Sequence, residues 1–127
     1  MSDLQHPYAK AATVGDLVFV SGCLPVDADE NIVTGRREAL DAAVTQIGRR
    51  LEGTGAGLND LVRLTYYVTD ISLRTEANDQ FVDLWPDSPP ARSFVGVASL
   101  PRNANVEIEV VARVPHGTGV DGKENTA

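Results

Sequence analysis

Two charged residues stand inside apolar, strand-like runs, and both have chemistry to offer. Arg92 opens RSFVGV directly after SPPA. An arginine grips a planar carboxylate through two parallel N–H···O bonds, a geometry lysine does not reproduce. Glu109 lies in VEIEVVA, and a carboxylate on such a strand is a residue type that orients a water or takes its proton. Each also has a plainer reading: Arg92 as one half of a surface ion pair, and Glu107 with Glu109 as solvated positions on an open sheet face. From these residues alone the plainer reading is the better supported for both.

Other chemistries are poorly provided for. His6 and His116 fall in the terminal segments and Cys23 is the single cysteine, so no zinc set and no metal site is expected. A hydrolytic triad lacks a histidine within the ordered scaffold. The stretch GTGAGL follows a helical pattern instead of a strand and lacks the last glycine of a dinucleotide loop, so helix termination is its reading. No phosphate loop of the GxxxxGK type occurs.

The elements that must hold Arg92 and Glu109 are read from periodicity. Tyr8 to Thr13 and LVFVSG form two strands around a Gly15-Asp16 turn, with Leu17, Phe19 and Ser21 on one face and Val18 and Val20 on the other. From about Arg36 to Gly53, Leu40, Ala43, Val44, Ile47 and Leu51 recur at helical steps, with Thr34 as the N-cap and GTGAG as the stop. DLVRLTYYVTD reads as a strand in which Val62, Leu64, Tyr66 and Val68 oppose Leu61, Arg63, Thr65 and Tyr67. A second helix starts near Ser72 and ends at Trp85-Pro86, with Ala77, Phe81 and Leu84 inward; RSFVGVASL and VEIEVVARV are the last two strands. The order ββαβαββ predicts an α+β sandwich: one mixed or antiparallel sheet with two helices on one face. Phe19, Phe94 and Val111 are expected on the uncovered face, a hint of a homo-oligomer.

Composition sets the outer bounds. The 127 residues suit one domain, expected over 1–114, with a flexible tail over 115–127. Eighteen acids against eleven bases give a net charge of −7, which argues against nucleic acid or an anionic membrane as the main partner. One cysteine allows no intrachain disulfide, and neither a signal peptide nor a membrane-length apolar run is visible, so a cytoplasmic protein is expected.

Taken in order, Tyr8, VGDLVFVSGCLP, the AG of GTGAG, DLVRLTYYVTD, Asn78 ahead of Phe81, PPARSFVGVASLP and VEIEVVA make a specific combination. It resembles the Rid family of reactive intermediate deaminases (the RidA/YjgF group) over roughly Tyr8 to Val114. The resemblance implies a chorismate-mutase-like fold and a homotrimer whose sites lie in the clefts between subunits. It implies an activity too: hydrolysis of short-lived enamines and imines, such as 2-aminoacrylate and 2-imino acids, to 2-oxo acids and ammonia, without a cofactor. By that likeness Arg92 holds the substrate carboxylate and Glu109 positions or activates the attacking water. Tyr8 lines the pocket, Ser21 and Gly22 contact the substrate, and Phe94 falls at a wall position often filled by cysteine.

This chain departs from the family pattern at Cys23, where glutamine is usual, and at Gln46, where asparagine is common. Cys23 and Phe94 leave pocket size and substrate choice open. Two rivals stand beside the deaminase: a non-catalytic ligand-binding or chaperone-like relative, and a pathway-specific deaminase. Ribonuclease activity has been linked to the family, but the net charge gives it little support. Arg92 moves the balance toward the enzyme.

Overall fold

The computed structural model describes residues 6–116; most of the expected tail, from residue 117 on, lies outside them. The elements run β1 (Ala11–Val14), β2 (Leu17–Cys23), α1 (Arg36–Leu51), β3 (Leu61–Val68), α2 (Arg74–Leu84), β4 (Ala91–Gly96) and β5 (Val106–Arg113). This is the predicted ββαβαββ order.

Gly15 takes a positive φ of 61° and closes the turn between β1 and β2, a conformation that costs glycine nothing sterically. The five strands form one mixed sheet in the order β1-β2-β5-β3-β4, antiparallel throughout except for the β3–β4 pair. That pair is parallel because α2 carries the chain from one end of the sheet back to the other.

Both helices cover one face. Val18 and Val20 of β2, Leu64 and Tyr66 of β3, and Ile108 and Val110 of β5 bury against Leu40, Ala43, Ile47 and Leu51 of α1. Fully burying one such aliphatic side chain contributes about 1.5–3 kcal/mol, so the α1 stripe is the main fastening of helix to sheet. At one sheet end Asp16 accepts from Arg113 Nε and meets His116 Nε2, both at 2.7 Å. These contacts hold its carboxyl well below the usual range, at about 2. His116, expected at the start of the tail, is thereby placed against the domain.

Four local expectations need correction. The N-cap of α1 is Gly35, not Thr34. The Glu38 side chain folds over Gly35 so closely that a Cβ there would meet Glu38 Oε1. In β3 the register shifts between Leu61 and Arg63, which turns Leu61 into the core and leaves Val62 partly exposed. A bulge of this kind inverts the alternation on one side of it.

Along α2 the buried residues are Ala77 and Gln80, whereas Leu84 is exposed. Gln80 is tolerated inside because both ends of its amide are paired: Tyr66 Oη donates to Oε1 at 2.9 Å, and Nε2 donates to Asp41 Oδ1 at 2.8 Å. Finally, Phe94 does not lie on the uncovered face. It pairs with Tyr66 in the parallel register and their ring centroids are 5.5 Å apart on the helix side. Phe19 and Val111, a register pair, do lie on the uncovered face.

Candidate functional site

Strand register decides which candidates can meet. Arg92 pairs with Leu64 and Phe94 with Tyr66, so both project to the helix-covered side of edge strand β4. Glu109 pairs with Thr65, and Thr65 with Ser93, so Glu109 projects to the uncovered side. Glu107, two residues earlier, shares that side. Within one chain Arg92 and Glu109 are therefore on opposite faces of the sheet.

The Arg92 guanidinium rests among three rings, with its Cζ 5.1 Å from the centroid of Phe81, 5.7 Å from Tyr66 and 5.8 Å from Phe94. A cation over ring faces is attracted by their quadrupoles, which fixes the head without using its N–H donors. Among the described residues no carboxylate pairs with it. Burial lowers its pKa from the usual guanidinium value; Tyr66 opposes that shift and Arg74 adds to it. The five donors of the fork remain available to a planar acceptor.

The other candidates divide between two cavities. The smaller, about 320 Å³, lies on the uncovered face and is lined by Phe19, Ser21, Arg63, Thr65 and Glu109 among others. Here Glu109 is exposed and accepts from Tyr67 Oη at 2.8 Å. The larger, about 690 Å³, brings Tyr8, Gly22 and Glu107 together with Gln46 and Arg50.

Glu107 is the residue that periodicity alone passes over. It is half-buried, and desolvation, followed by the charge of Glu109, raises its pKa above the ordinary carboxylate value, with Arg50 opposing. Its carboxylate lies directly over Gly22: a Cβ at that position would sit 2.8 Å from Glu107 Cδ. The signal available in the sequence was the glycine following Ser21, which removes a side chain where the two strands crowd.

The Ser21–Gly22 segment is itself irregular. Val20 pairs with Val110 but Cys23 pairs with Ile108, so β2 carries one extra residue there. The hydroxyl of Ser21 donates to Ala9 O at 2.6 Å and its N–H to Lys10 O at 3.0 Å, which ties the stretch bearing Tyr8 to this bulge. Arg50 Nη1 donates to the carbonyls of Ser21, at 2.9 Å, and Gly22, at 3.2 Å. Gln46 Nε2 donates to Val26 O at 3.3 Å across the same cavity. Cys23 is fully buried, and burial pushes its thiol up to about 11, so it packs as a small apolar residue.

The site is thus in two parts: on one face a guanidinium on aromatic rings, without a carboxylate partner among the described residues, and on the other a half-buried carboxylate over a glycine. Among the described residues no group of three or more His, Cys, Asp or Glu is placed to hold a metal ion, and no helix is long and apolar enough to cross a membrane.

Comparison with known proteins agrees with this architecture. The sequence model of the family described as Endoribonuclease L-PSP matches residues 2–114. A RutC family protein of Pyrococcus abyssi is 35% identical over 108 residues, 84% of this chain and 85% of the relative. A 2-iminobutanoate/2-iminopropanoate deaminase of Dermatophagoides farinae is 36% identical over 107 residues, 83% of this chain and 84% of the relative. Among solved structures, RidA from an Antarctic Psychrobacter is similar with a TM-score of 0.80 at 32% identity, covering 85% of this chain and 89% of that one.

Proposed function

The chain belongs to the endoribonuclease L-PSP, or Rid, family, and on that premise we propose that it hydrolyses reactive enamines and imines of 2-amino acids to 2-oxo acids and ammonia. The observation that carries this reading is Arg92, a half-buried guanidinium with no carboxylate of its own among the described residues. A carboxylate-bearing substrate supplies the missing acceptor through a bidentate contact.

The chemistry asks little else of the protein. An imine carbon is electrophilic, the more so once its nitrogen is protonated, so positioning a water and moving its protons suffices. Of the two carboxylates on β5, we assign the water to Glu107 and not to Glu109, the residue expected from the sequence. Glu107 shares a cavity with Tyr8 and Gly22, and burial has raised its pKa toward the range of a useful base. It takes a proton as water adds to the carbon. Returning that proton to the amine makes ammonia the leaving group, and as the C–N bond breaks the adduct's hydroxyl gives its own proton to the carboxylate and becomes the carbonyl of the 2-oxo acid.

Because Arg92 and Glu107 face opposite sides of the sheet, the working site joins Arg92 of one subunit to Tyr8, Ser21, Gly22 and Glu107 of a neighbour. The uncovered face with Phe19 and Val111 is the surface for that contact, in a homotrimer. Phe94, beside Arg92, forms part of the wall.

The assay generates imines in place with an amino acid oxidase and traps survivors with semicarbazide. Accelerated 2-oxo acid release is expected, with Arg92→Ala losing about 2–4 kcal/mol of transition-state stabilisation. Full activity in Arg92→Ala would remove the anchoring role. Absence of acceleration with small, branched and aromatic substrates would leave ligand binding without catalysis as the reading.

A further inference from the structure

Arg50 stands in the last turn of α1, where the apolar stripe of the helix has given way to the charged pair Arg49-Arg50. A cation suits a helix C-terminus, which explains the charge but not the direction of the side chain. Instead of capping its own helix, the guanidinium crosses to β2 and bonds the carbonyls of Ser21 and Gly22 from the same Nη1. Successive carbonyls of a regular strand point to opposite sides. These two converge on one donor because the extra residue of the bulge lies between Val20 and Cys23. Carbonyls released from the ladder in this way need a donor, and a half-buried carbonyl left without one is costly.

The same bulge presents Gly22 to Glu107, and Arg50 lines the cavity that contains both. We propose that Arg50 is the positioning residue of the site: its guanidinium holds the Ser21–Gly22 bulge under the Glu107 carboxylate and places a positive charge facing that carboxylate. This rests on the deaminase reading for its functional meaning, though not for its geometry. Arg50 acts through Glu107 and is not itself placed against substrate.

Other charges share the surroundings, and the test must separate them from Arg50. On β5 itself Glu109 disfavours ionisation of Glu107, and Arg50 from α1 favours it. Tyr67 of β3 is the register partner of Glu107, and Cys23 of β2 feels its charge. His6, Tyr8 and Lys10 from the N-terminal stretch, Asp27 and Glu30 from the loop after β2, Arg49 of α1, and Arg102 before β5 complete the cavity. Arg50 bonds the bulge through its guanidinium, so substitution there removes the scaffold contact and the charge together. Arg50→Lys restores the charge with a single-point donor.

The experiment compares the wild type, Arg50→Met and Arg50→Lys by imine hydrolysis across pH, and by carbon NMR titration of labelled glutamate carboxyls, with Glu107 assigned through Glu107→Gln. Loss of the cation disfavours the ionised form, so in Arg50→Met the Glu107 midpoint and the acid limb of kcat/KM both move to higher pH. Its kcat falls by about tenfold, the scale of one lost hydrogen bond to a charged group. Arg50→Lys returns the midpoint toward wild type while kcat recovers only in part.

An unmoved Glu107 midpoint in a folded Arg50→Met protein overturns the proposal, and so does a midpoint in Arg50→Lys equal to that in Arg50→Met. If Arg50→Met does not fold, the comparison of Arg50→Lys with wild type decides, since a purely structural arginine would move neither titration nor rate once the chain is folded. A wild type that accelerates no imine hydrolysis would refute the deaminase reading, and the NMR midpoints would still decide the role of Arg50.

Discussion

Gly22→Ala is the substitution that most sharply separates stability from catalysis in this chain. Gly22 is not in the left-handed region; among the described residues the glycines with positive φ are Gly15, Gly53 and Gly55. The backbone therefore accepts alanine, and loss of freedom in the unfolded chain stabilises the variant by about 0.4–1 kcal/mol. Against this, the new Cβ would collide with Glu107 Oε2 and lie 2.8 Å from its Cδ and 3.0 Å from its Cγ, where ordinary contact starts at about 3.4 Å. The obstructing atoms are the far end of a side chain, so the carboxylate gives way and the strand does not. Folding stability should stay within about 1 kcal/mol of wild type, read from urea midpoints. The retreat of the carboxylate is about 1 Å, a displacement that costs roughly a hundredfold when it misplaces a reacting group. Stopped-flow or coupled assays with imines generated in place should therefore show kcat down by about that factor with KM little changed. A Gly22→Ala protein with wild-type kcat would refute the assignment of Glu107 to the water. A protein that loses its cooperative transition would refute the claim that the side chain, not the strand, yields.

Two further outcomes follow from the same geometry. Glu107→Gln should abolish most imine hydrolysis while Glu109→Gln, which leaves Tyr67 an amide oxygen as acceptor, should retain it. Because burial raises the Glu107 pKa and the ionised form is the base, the acid limb of the wild-type kcat/KM profile should lie above the ordinary glutamate value of about 4.3; a limb below it would count against Glu107. In the core, Gln80→Met should cost about 2–4 kcal/mol in denaturant unfolding, because it strands the buried Tyr66 hydroxyl; adding Tyr66→Phe should recover part of that loss.

The order of elements and the stripe on α1 were readable because each depends on local pattern and the burial of one face. What escaped the sequence depended on a partner across the fold. The alternation of β3 breaks at Leu61 because β5 pairs with it through a register shift, and one strand's pattern does not reveal its neighbour's register. Phe94 took the wrong face for a related reason: its side is set by parallel pairing with Tyr66. Gln80 is buried because Tyr66 and Asp41 supply both ends of its amide, partners on other elements that the pattern of α2 does not reveal. At the site, Arg92 was legible as an arginine in an apolar strand. Choosing between Glu107 and Glu109 was not, since both share one face of β5, and only the bulge in β2 brings one of them over Gly22.

The placement of Arg92 and Glu107 on opposite faces of one sheet has a genetic consequence. On the proposed assembly no single polypeptide owns a complete site, so the two functions can be lost on separate alleles and partly recovered in the cell that carries both. In a ring assembled at random from equal amounts of Arg92→Ala and Glu107→Gln chains, about a quarter of the junctions unite an intact arginine with an intact glutamate. The other junctions are dead, and neither parent alone forms a live one. Complementation between alleles, usually taken as evidence for two separate genes, would here be a property of one short chain.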